Sequence, residues 1–199
     1  MSTNELIDGL LLVSVKKEIA SGNQSAFRQL YDSYSKKLVH FAYAILKESD
    51  ASVEVVDEVF IKIWKNRETI NTILNLRVYL YKAVKNTSLN YISRRANALQ
   101  TEPFDYINIQ LSDDLSPEQK LITSEIYQKI KVAVNNLPPR CKMIFKLVRE
   151  DGLRYREVAA ILNISENTVD AQMVIAVHRI SEAVKCQFDF FPSRVEKKS

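Results

Sequence analysis

The sequence LRYREVAAILNISENTVDAQMVIAVHRI, at Leu153–Ile180, has the strongest local pattern in the chain. Its apolar spacing predicts a short helix over about 154–162 and a longer helix over about 166–186. Between them, Asn163 suits a left-handed turn, and Ser165 suits the N-cap of the second helix. The pattern is typical of a helix-turn-helix, in which the first helix braces a second one that enters the major groove of DNA. From the pattern alone, a plain αα-hairpin in a helical bundle stays open as the alternative.

Capping and helix-breaking residues delimit the helices around this motif. Ser116 and Pro117 predict a helix start, and that helix should end near Asn135 because Leu137-Pro138-Pro139 removes the next backbone donors. A following helix over about 139–149 should stop at Asp151-Gly152. The helix at 166–186 should bury one stripe of apolar residues. This stripe consists of Val169, Met173, Ala176, Val177, Ile180 and Val184.

Three further helices are predicted in the first half of the chain, over about 24–47, 51–65 and 76–95. The helix at 51–65 is apolar on more than one face and should be buried on more than one side. Its main stripe is Val56, Val59, Phe60 and Ile63, with Val55, Ile61 and Trp64 on other faces. The inner face of the helix at 76–95 is predicted to be Leu76, Leu80, Ala83, Val84, Thr87 and Tyr91.

Glycine and proline are scarce: the 199 residues include 3 Gly and 5 Pro, whereas 46% are hydrophobic. Average usage would supply roughly three times as many of these two residues. Turn-rich β folds and phosphate-binding loops need glycine where φ is positive or the backbone approaches a ligand. The composition therefore disfavours β-sandwiches, doubly wound sheets and glycine-rich nucleotide loops. The predicted fold class is all-α, with two small helical domains joined by a flexible linker.

The net charge also differs between the two predicted domains and the stretch that joins them. Residues 22–99 hold 12 basic and 7 acidic groups (net +5), residues 100–134 hold 3 and 6 (net −3), and residues 135–186 hold 8 and 6 (net +2). The acidic stretch 101–116, TEPFDYINIQLSDDLS, lacks helical periodicity and is typical of a linker. The predicted organisation is an N-terminal extension at 1–21, a first domain at 22–97, the linker at 98–116, a second domain at 117–187 and a tail at 188–199.

No metal, cofactor or secretion signal is predicted. Cys141 and Cys186 have no Cys-x-x-Cys partner, and a structural zinc site normally takes four closely spaced nitrogen or sulfur ligands. The first residues lack a basic segment followed by a long apolar one. Isolated cysteines suit a reducing compartment. We therefore expect a cytoplasmic protein without direct membrane insertion.

Two helix faces carry charge. The helix at 76–95 has five basic residues and no acid, with Tyr79 and Tyr81 as aromatic faces that could stack unpaired bases. On the helix at 51–65, Glu54, Asp57 and Glu58 share one face at i, i+3 and i+4. No neighbouring histidine, lysine or second carboxylate cluster supports catalysis there, so a basic protein surface is the favoured partner. A solvated helix face is the simpler alternative for both.

Four blocks of the chain, in order, resemble the extracytoplasmic-function (ECF) sigma factors of bacterial RNA polymerase. Ala51–Trp64 is similar to the segment of that family that binds core polymerase, and Tyr79–Asn86 with Asn90–Arg95 is similar to its promoter-melting segment. The remaining similar segments are Gly22–Tyr34, which matches the first helix, and Leu137–Arg140, Gly152–Leu162 and Ile164–Val169, which match the domain that binds the −35 element. The resemblance covers about 22–186.

The resemblance implies an alternative sigma factor with no catalytic residues, no cofactor and no small-molecule substrate. Its partners would be core RNA polymerase, promoter DNA and a cognate anti-sigma factor. The implied polymerase contacts are Glu54, Asp57, Glu58 and Lys62. The implied −10 contacts are Lys82, Lys85, Asn86, Asn90, Arg94 and Arg95, with the loop at 66–75 capturing an unstacked base. The implied −35 contacts are Arg140, Arg154, Arg156, Asn167, Thr168, Ala171, Gln172, Ile175 and Arg179.

The second helix of the motif departs from the family, which often has basic residues at Asp170, Gln172, Val174 and Ile175. Phosphate contacts are therefore expected from outside the first turns of that helix, namely from Arg140, Arg154 and Arg156, with Arg179 near its far end. The rival function is a stand-alone helix-turn-helix regulator, which leaves the helix at 51–65 unexplained. A small helical enzyme would need a cleft of titratable groups that the sequence does not supply.

Overall fold

The computed structural model describes residues 13–96 and 124–185, and all secondary structure in these two ranges is helical. This confirms the all-α prediction for the described residues. The linker at 98–116, the helix start at Ser116, the tail at 188–199 and the first twelve residues lie outside them. The helices are α1 (13–20), α2 (Gln24–Leu46), α3 (Ser49–Lys65), a 3₁₀ helix (Arg67–Thr72), α4 (Leu76–Ala96), α5 (Ser124–Asn135), α6 (Pro139–Arg149), α7 (Tyr155–Leu162) and α8 (Glu166–Lys185).

The described chain forms two compact units. The first contains α1 to α4, and the second contains α5, α6, α8 and the start of α7. In the first unit, α2 and α3 pack against each other and both pack against α4. The second unit is built around α8, against which α5 and α6 pack. Each unit therefore has its own core.

The core of the first unit combines aliphatic and aromatic side chains of α3. Val55 and Val56 are buried in the middle of this helix, and Phe60 is buried one turn farther along. The Phe60 ring meets Tyr31 of α2 edge-on with centroids 4.9 Å apart, and Phe27 lies 4.9 Å from Trp64. Full burial of an apolar side chain such as that of Phe60 contributes about 1.5–3 kcal/mol. The packing therefore fixes α3 against α2 and leaves its opposite face outward.

The helix-turn-helix prediction is confirmed in its local geometry. Asn163 adopts φ 56°, the left-handed conformation expected at the turn. The Ser165 hydroxyl accepts from the Thr168 backbone N–H at 3.0 Å and so caps α8. At the start of α7, the Glu157 carboxylate accepts from the Arg154 backbone N–H at 2.9 Å. Val169 is fully buried, so the start of α8 has the predicted orientation.

Helix α6 ends as predicted at Asp151-Gly152. Gly152 adopts φ 67°, which a residue with a side chain rarely does, and the next residue, Leu153, donates its N–H to the Leu147 carbonyl at 2.9 Å. Helices α5, α6 and α8 share a small core. Its members are Val134, Leu137, Cys141 and Ala176, with Ile130, Phe145 and Ile180 packed against them.

Three predicted environments were wrong. Ile61 on α3 is 52% exposed and Val177 on α8 is 47% exposed, although the patterns placed both inside. Tyr81 on α4 is buried, and its ring packs edge-on against Phe41 at 5.2 Å. Tyr81 therefore belongs to the core and does not present a free aromatic face, whereas Tyr79 is 41% exposed.

Candidate functional site

The acidic face of α3 consists of two rows of side chains at i, i+4 spacing. One row is Glu54, Glu58 and Lys62, and the other is Val53, Asp57 and Ile61. Glu58 forms an ion pair with Lys62 at 2.5 Å, so part of its charge is already neutralised. Val53 and Ile61 are exposed on either side of Asp57. The face therefore combines a carboxylate with two apolar neighbours, which the sequence interpretation did not include.

Tyr31 of α2 positions the carboxylate of Asp57. Its hydroxyl donates to Asp57 Oδ1 at 2.9 Å, while its ring packs against Phe60. The hydrogen bond to Asp57 raises the pKa of Tyr31, and burial and the negative charge of Asp57 act in the same direction. The hydroxyl consequently stays protonated and remains a donor. Asp57 is thus held in one orientation at the surface.

The predicted −10 residues are found in three environments: a row along α4, the buried Lys85, and Arg95, which forms an ion pair. Lys82, Asn86, Asn90 and Arg94 recur every four residues and form one row along α4. Lys85 is 7% exposed, and burial, followed by the positive charge of Lys82, lowers the pKa of its ammonium group. Lys85 can contact a phosphate only if its side chain first becomes exposed. The row of Lys82, Asn86, Asn90 and Arg94 is therefore the better candidate surface.

Arg95 has a structural contact that the sequence interpretation missed. Its guanidinium forms an ion pair with Glu48, which directly precedes α3. The hydrogen bond to Glu48 raises the pKa of Arg95. Glu48 is therefore a competitor for any phosphate that approaches this arginine.

Helix α8 presents a surface that is poor in positive charge over its first three turns. Four of the implied −35 contacts are exposed there: Asn167, Ala171, Ile175 and Arg179. Thr168 and Gln172 are half-buried, and the Thr168 hydroxyl lies 2.8 Å from that of Ser165 at the cap. Beside them, Val174 is 62% exposed. Together with Val177 and Ile175, it gives α8 an apolar side next to the predicted base-reading residues.

The three arginines expected to contact phosphate have different environments. Arg140, at the start of α6, and Arg156, on α7, are exposed, whereas Arg154 is half-buried. All three lie outside α8, whose own first turns carry Glu166 and Asp170. The first turns of α8 therefore carry no positive charge of their own, and Arg179 lies farther along the helix.

Neither a membrane span nor a metal site is found within 13–96 and 124–185. No helix in these ranges is long and apolar enough to cross a membrane. No group of three or more histidine, cysteine, aspartate and glutamate side chains is arranged there to hold a metal ion. Cys141 is buried, and burial raises the pKa of its thiol, with the positive charge of Arg179 opposing this shift.

Comparison with known proteins assigns both units. Residues 30–98 match the family model described as Sigma-70 region 2, and residues 127–177 match that described as Sigma-70, region 4. The ECF RNA polymerase sigma-E factor of Escherichia coli strain K12 is 27% identical over 191 residues, covering 92% of this chain and 97% of the relative. The ECF sigma factor SigW of Bacillus subtilis strain 168 is 24% identical over 178 residues, covering 86% and 93%. The chain belongs to the ECF sigma factors.

Solved structures of similar fold agree with this assignment. CnrH, in complex with the cytosolic domain of CnrY, has a TM-score of 0.54 at 20% identity, covering 87% of this chain and 97% of that one. RpoE of Bartonella quintana, in complex with the anti-sigma factor NepR, has the same TM-score and identity and covers 80% and 96%. In this sigma factor the region 2 match includes α3 and α4, and the region 4 match includes α6, α7 and the first half of α8. Helix α1 precedes the region 2 match.

Proposed function

We propose that this sigma factor binds core RNA polymerase through the α3 face, holds the −10 element on α4 and the loop at 66–75, and reads the −35 element with α8. The observation that carries the proposal is the row of Lys82, Asn86, Asn90 and Arg94 on α4, in a chain that also has a capped helix-turn-helix. Opening DNA is opposed by base stacking, and capture of unstacked bases on the protein offsets that cost. The proposed domains are 22–97 and 117–187.

The decisive experiment is reconstituted transcription. Core polymerase from the source organism is combined with the purified chain and genomic templates, and the start sites are mapped. Start sites that share −35 and −10 sequences and require the chain support the proposal. Specific binding of the chain to promoter DNA, without any effect on polymerase, would instead support the stand-alone regulator. We expect no catalytic activity of the chain itself.

A cognate anti-sigma factor is the expected inhibitory partner, and the cytoplasm is the expected location. The relatives CnrH and RpoE were both solved with bound partner proteins, one of which is described as an anti-sigma factor. On this chain, the exposed Val174, Ile175 and Val177 of α8 offer an apolar surface that such a partner could cover. This assignment competes with base reading by Ile175.

Tyr31→Phe is expected to weaken binding of core polymerase by roughly 0.5–1.5 kcal/mol, the net contribution of one hydrogen bond. The phenylalanine ring keeps the packing on Phe60 and removes only the donor to Asp57. Titration of labelled sigma factor with core polymerase measures the loss. The control is a double-mutant cycle, because the Tyr31→Phe effect should vanish when Asp57 is already alanine. An effect of the same size in both backgrounds would show that Tyr31 does not act through Asp57.

The double variant Lys82→Ala with Arg94→Ala is expected to weaken promoter binding about equally for all sequences. Each lost phosphate contact lowers the slope of log affinity against log salt by about 0.7–0.9, so the slope should fall by roughly one to two units. The measurement is holoenzyme binding to promoter DNA over a range of salt concentrations. Lys37→Ala, which removes an exposed lysine from α2, is the control. A salt slope equal to that of the control would show that the α4 row merely faces solvent.

A further inference from the structure

Helix α1 is an integral part of the first unit, although it precedes the region 2 match. Ile19 is fully buried and Val15 is 8% exposed, so α1 packs on the domain through its apolar side. A tight turn at Gly22, which adopts φ 87°, joins α1 to α2. The turn is closed by backbone hydrogen bonds from Gly22 to Ile19 and from Asn23 to Glu18. The orientation of α1 is therefore set.

Lys16 of α1 reaches the loop that precedes α4. Its ammonium group donates to the Ile73 carbonyl at 2.8 Å, across 57 residues of sequence, and the contact is partly buried. A hydrogen bond from a charged donor is stronger than one between neutral groups. The neighbouring Lys17 is exposed and lies on the same helix. Lys16 and Lys17 therefore differ in contact but not in charge.

The loop around Ile73 is held at three points. Ile70 is buried, the Ile73 N–H donates to the Ile70 carbonyl at 3.2 Å, and the Asn75 side chain accepts from the Val78 N–H at 3.0 Å at the start of α4. Between these points, the Leu74 side chain is 102% exposed, the most exposed large apolar group described. Leu74 is therefore an apolar side chain presented to solvent from a backbone that these contacts hold in place.

The chemistry beside Leu74 favours nucleic acid as that molecule. Helix α4 begins two residues later, carries no acid, and has Arg77 and Lys82 in its first half. Apolar side chains that enter a base step stabilise unstacked DNA, and base faces are apolar enough to pack against them. The occupant favoured at this position is an unstacked base of a separated promoter strand.

We infer that Lys16 is a positioning residue for strand separation, because it holds Ile73 so that Leu74 packs against an unstacked base. The inference rests on the proposed function. Beyond that function, the inference gives α1 a role through Lys16 and assigns the base contact in the loop to Leu74. In duplex DNA the loop must create the unstacked base, whereas on a premelted template the base is already available.

The test compares holoenzymes on two forms of a promoter mapped for the wild type: fully duplex, and premelted over the −10 element. Lys16→Met keeps the apolar stem and removes the donor. We expect it to lower open-complex formation on the duplex template about tenfold, as loss of one hydrogen bond to a charged group would. Leu74→Ala should also lower open-complex formation on the duplex template. On the premelted template, both variants should form open complexes as the wild type does. Lys16→Arg should retain activity because it can still donate to Ile73.

Lys17→Met, at an exposed position of α1, is the matched control and should behave as wild type. A general folding defect would lower core binding, and it would lower open-complex formation on both templates alike. Equal activity of Lys16→Met and Lys17→Met on duplex DNA would overturn the inference. Failure of the wild-type chain to direct any transcription would instead overturn the proposed function, so the two failures are distinguishable.

Discussion

Replacing Asp57 and Glu58 by lysine is expected to reduce the affinity for core polymerase by about a hundredfold or more. We assign a basic polymerase surface opposite this face, and reversal would place like charges in contact, which costs several kcal/mol. Each 1.4 kcal/mol corresponds to roughly a factor of ten in affinity. The measurement is a titration of core polymerase in the absence of DNA, so that promoter contacts do not contribute.

The substitutions at Asp57 and Glu58 should contribute unequally to the loss of affinity for core polymerase. Glu58 already has Lys62 as an ion-pair partner at 2.5 Å, whereas Asp57 is oriented by Tyr31 and flanked by exposed apolar side chains. A charge surrounded by apolar surface is screened less by water than an exposed one. We therefore expect Asp57→Lys alone to account for most of the loss. Comparable losses for the two single variants would argue against a special role of the Tyr31 contact.

Folding should survive the double reversal. Both side chains lie off the buried stripe of α3, and the single variant Asp57→Lys leaves the ion pair between Glu58 and Lys62 in place. In the double variant, Glu58→Lys puts a second positive charge at i, i+4 from Lys62, which destabilises a helix by only about 0.2–0.5 kcal/mol. Thermal unfolding of the free chain checks this expectation. Asp170→Lys, which reverses a charge on the surface assigned to DNA, is the matched control for core binding.

Helix positions were predictable because local signals specify them. Ser165 and Asn163 encode the cap and the left-handed turn of the helix-turn-helix, and both act as expected. Pro139 and Gly152 likewise bound α6. Such signals act within a few residues and do not depend on the rest of the fold.

Surface and core environments were less predictable because they depend on distant partners. Tyr81 is buried because Phe41 of another helix accepts its ring, and Ile61 is exposed because α2 and α4 pack on other faces of α3. Contacts such as Tyr31 with Asp57 and Lys16 with Ile73 join residues 26 and 57 positions apart. No periodicity in the sequence marks such pairs, so the structure was needed to find them.

Fewer residues of α8 are available to read bases than the family resemblance implies. The Thr168 hydroxyl is engaged with Ser165, and Gln172 is half-buried. Asn167 is the exposed polar side chain in the first turn of α8 that can both donate and accept, and an amide of this kind can pair with adenine in the major groove. Ala171 and Ile175 could add contacts to thymine methyl groups.

Asn167→Ala is accordingly expected to lose discrimination at one or two −35 base pairs by about 1–3 kcal/mol, with a small effect on other sequences. Arg154→Ala and Arg156→Ala should instead weaken all sequences alike, because phosphate contacts carry no base information. A scan of −35 variants with each holoenzyme measures both effects, and Asn136→Ala, at an exposed position after α5, is the matched control. If Asn167→Ala keeps its base preference while Ile175→Glu abolishes binding of an inhibitory protein, α8 presents its apolar side to that protein and the −35 bases are read elsewhere.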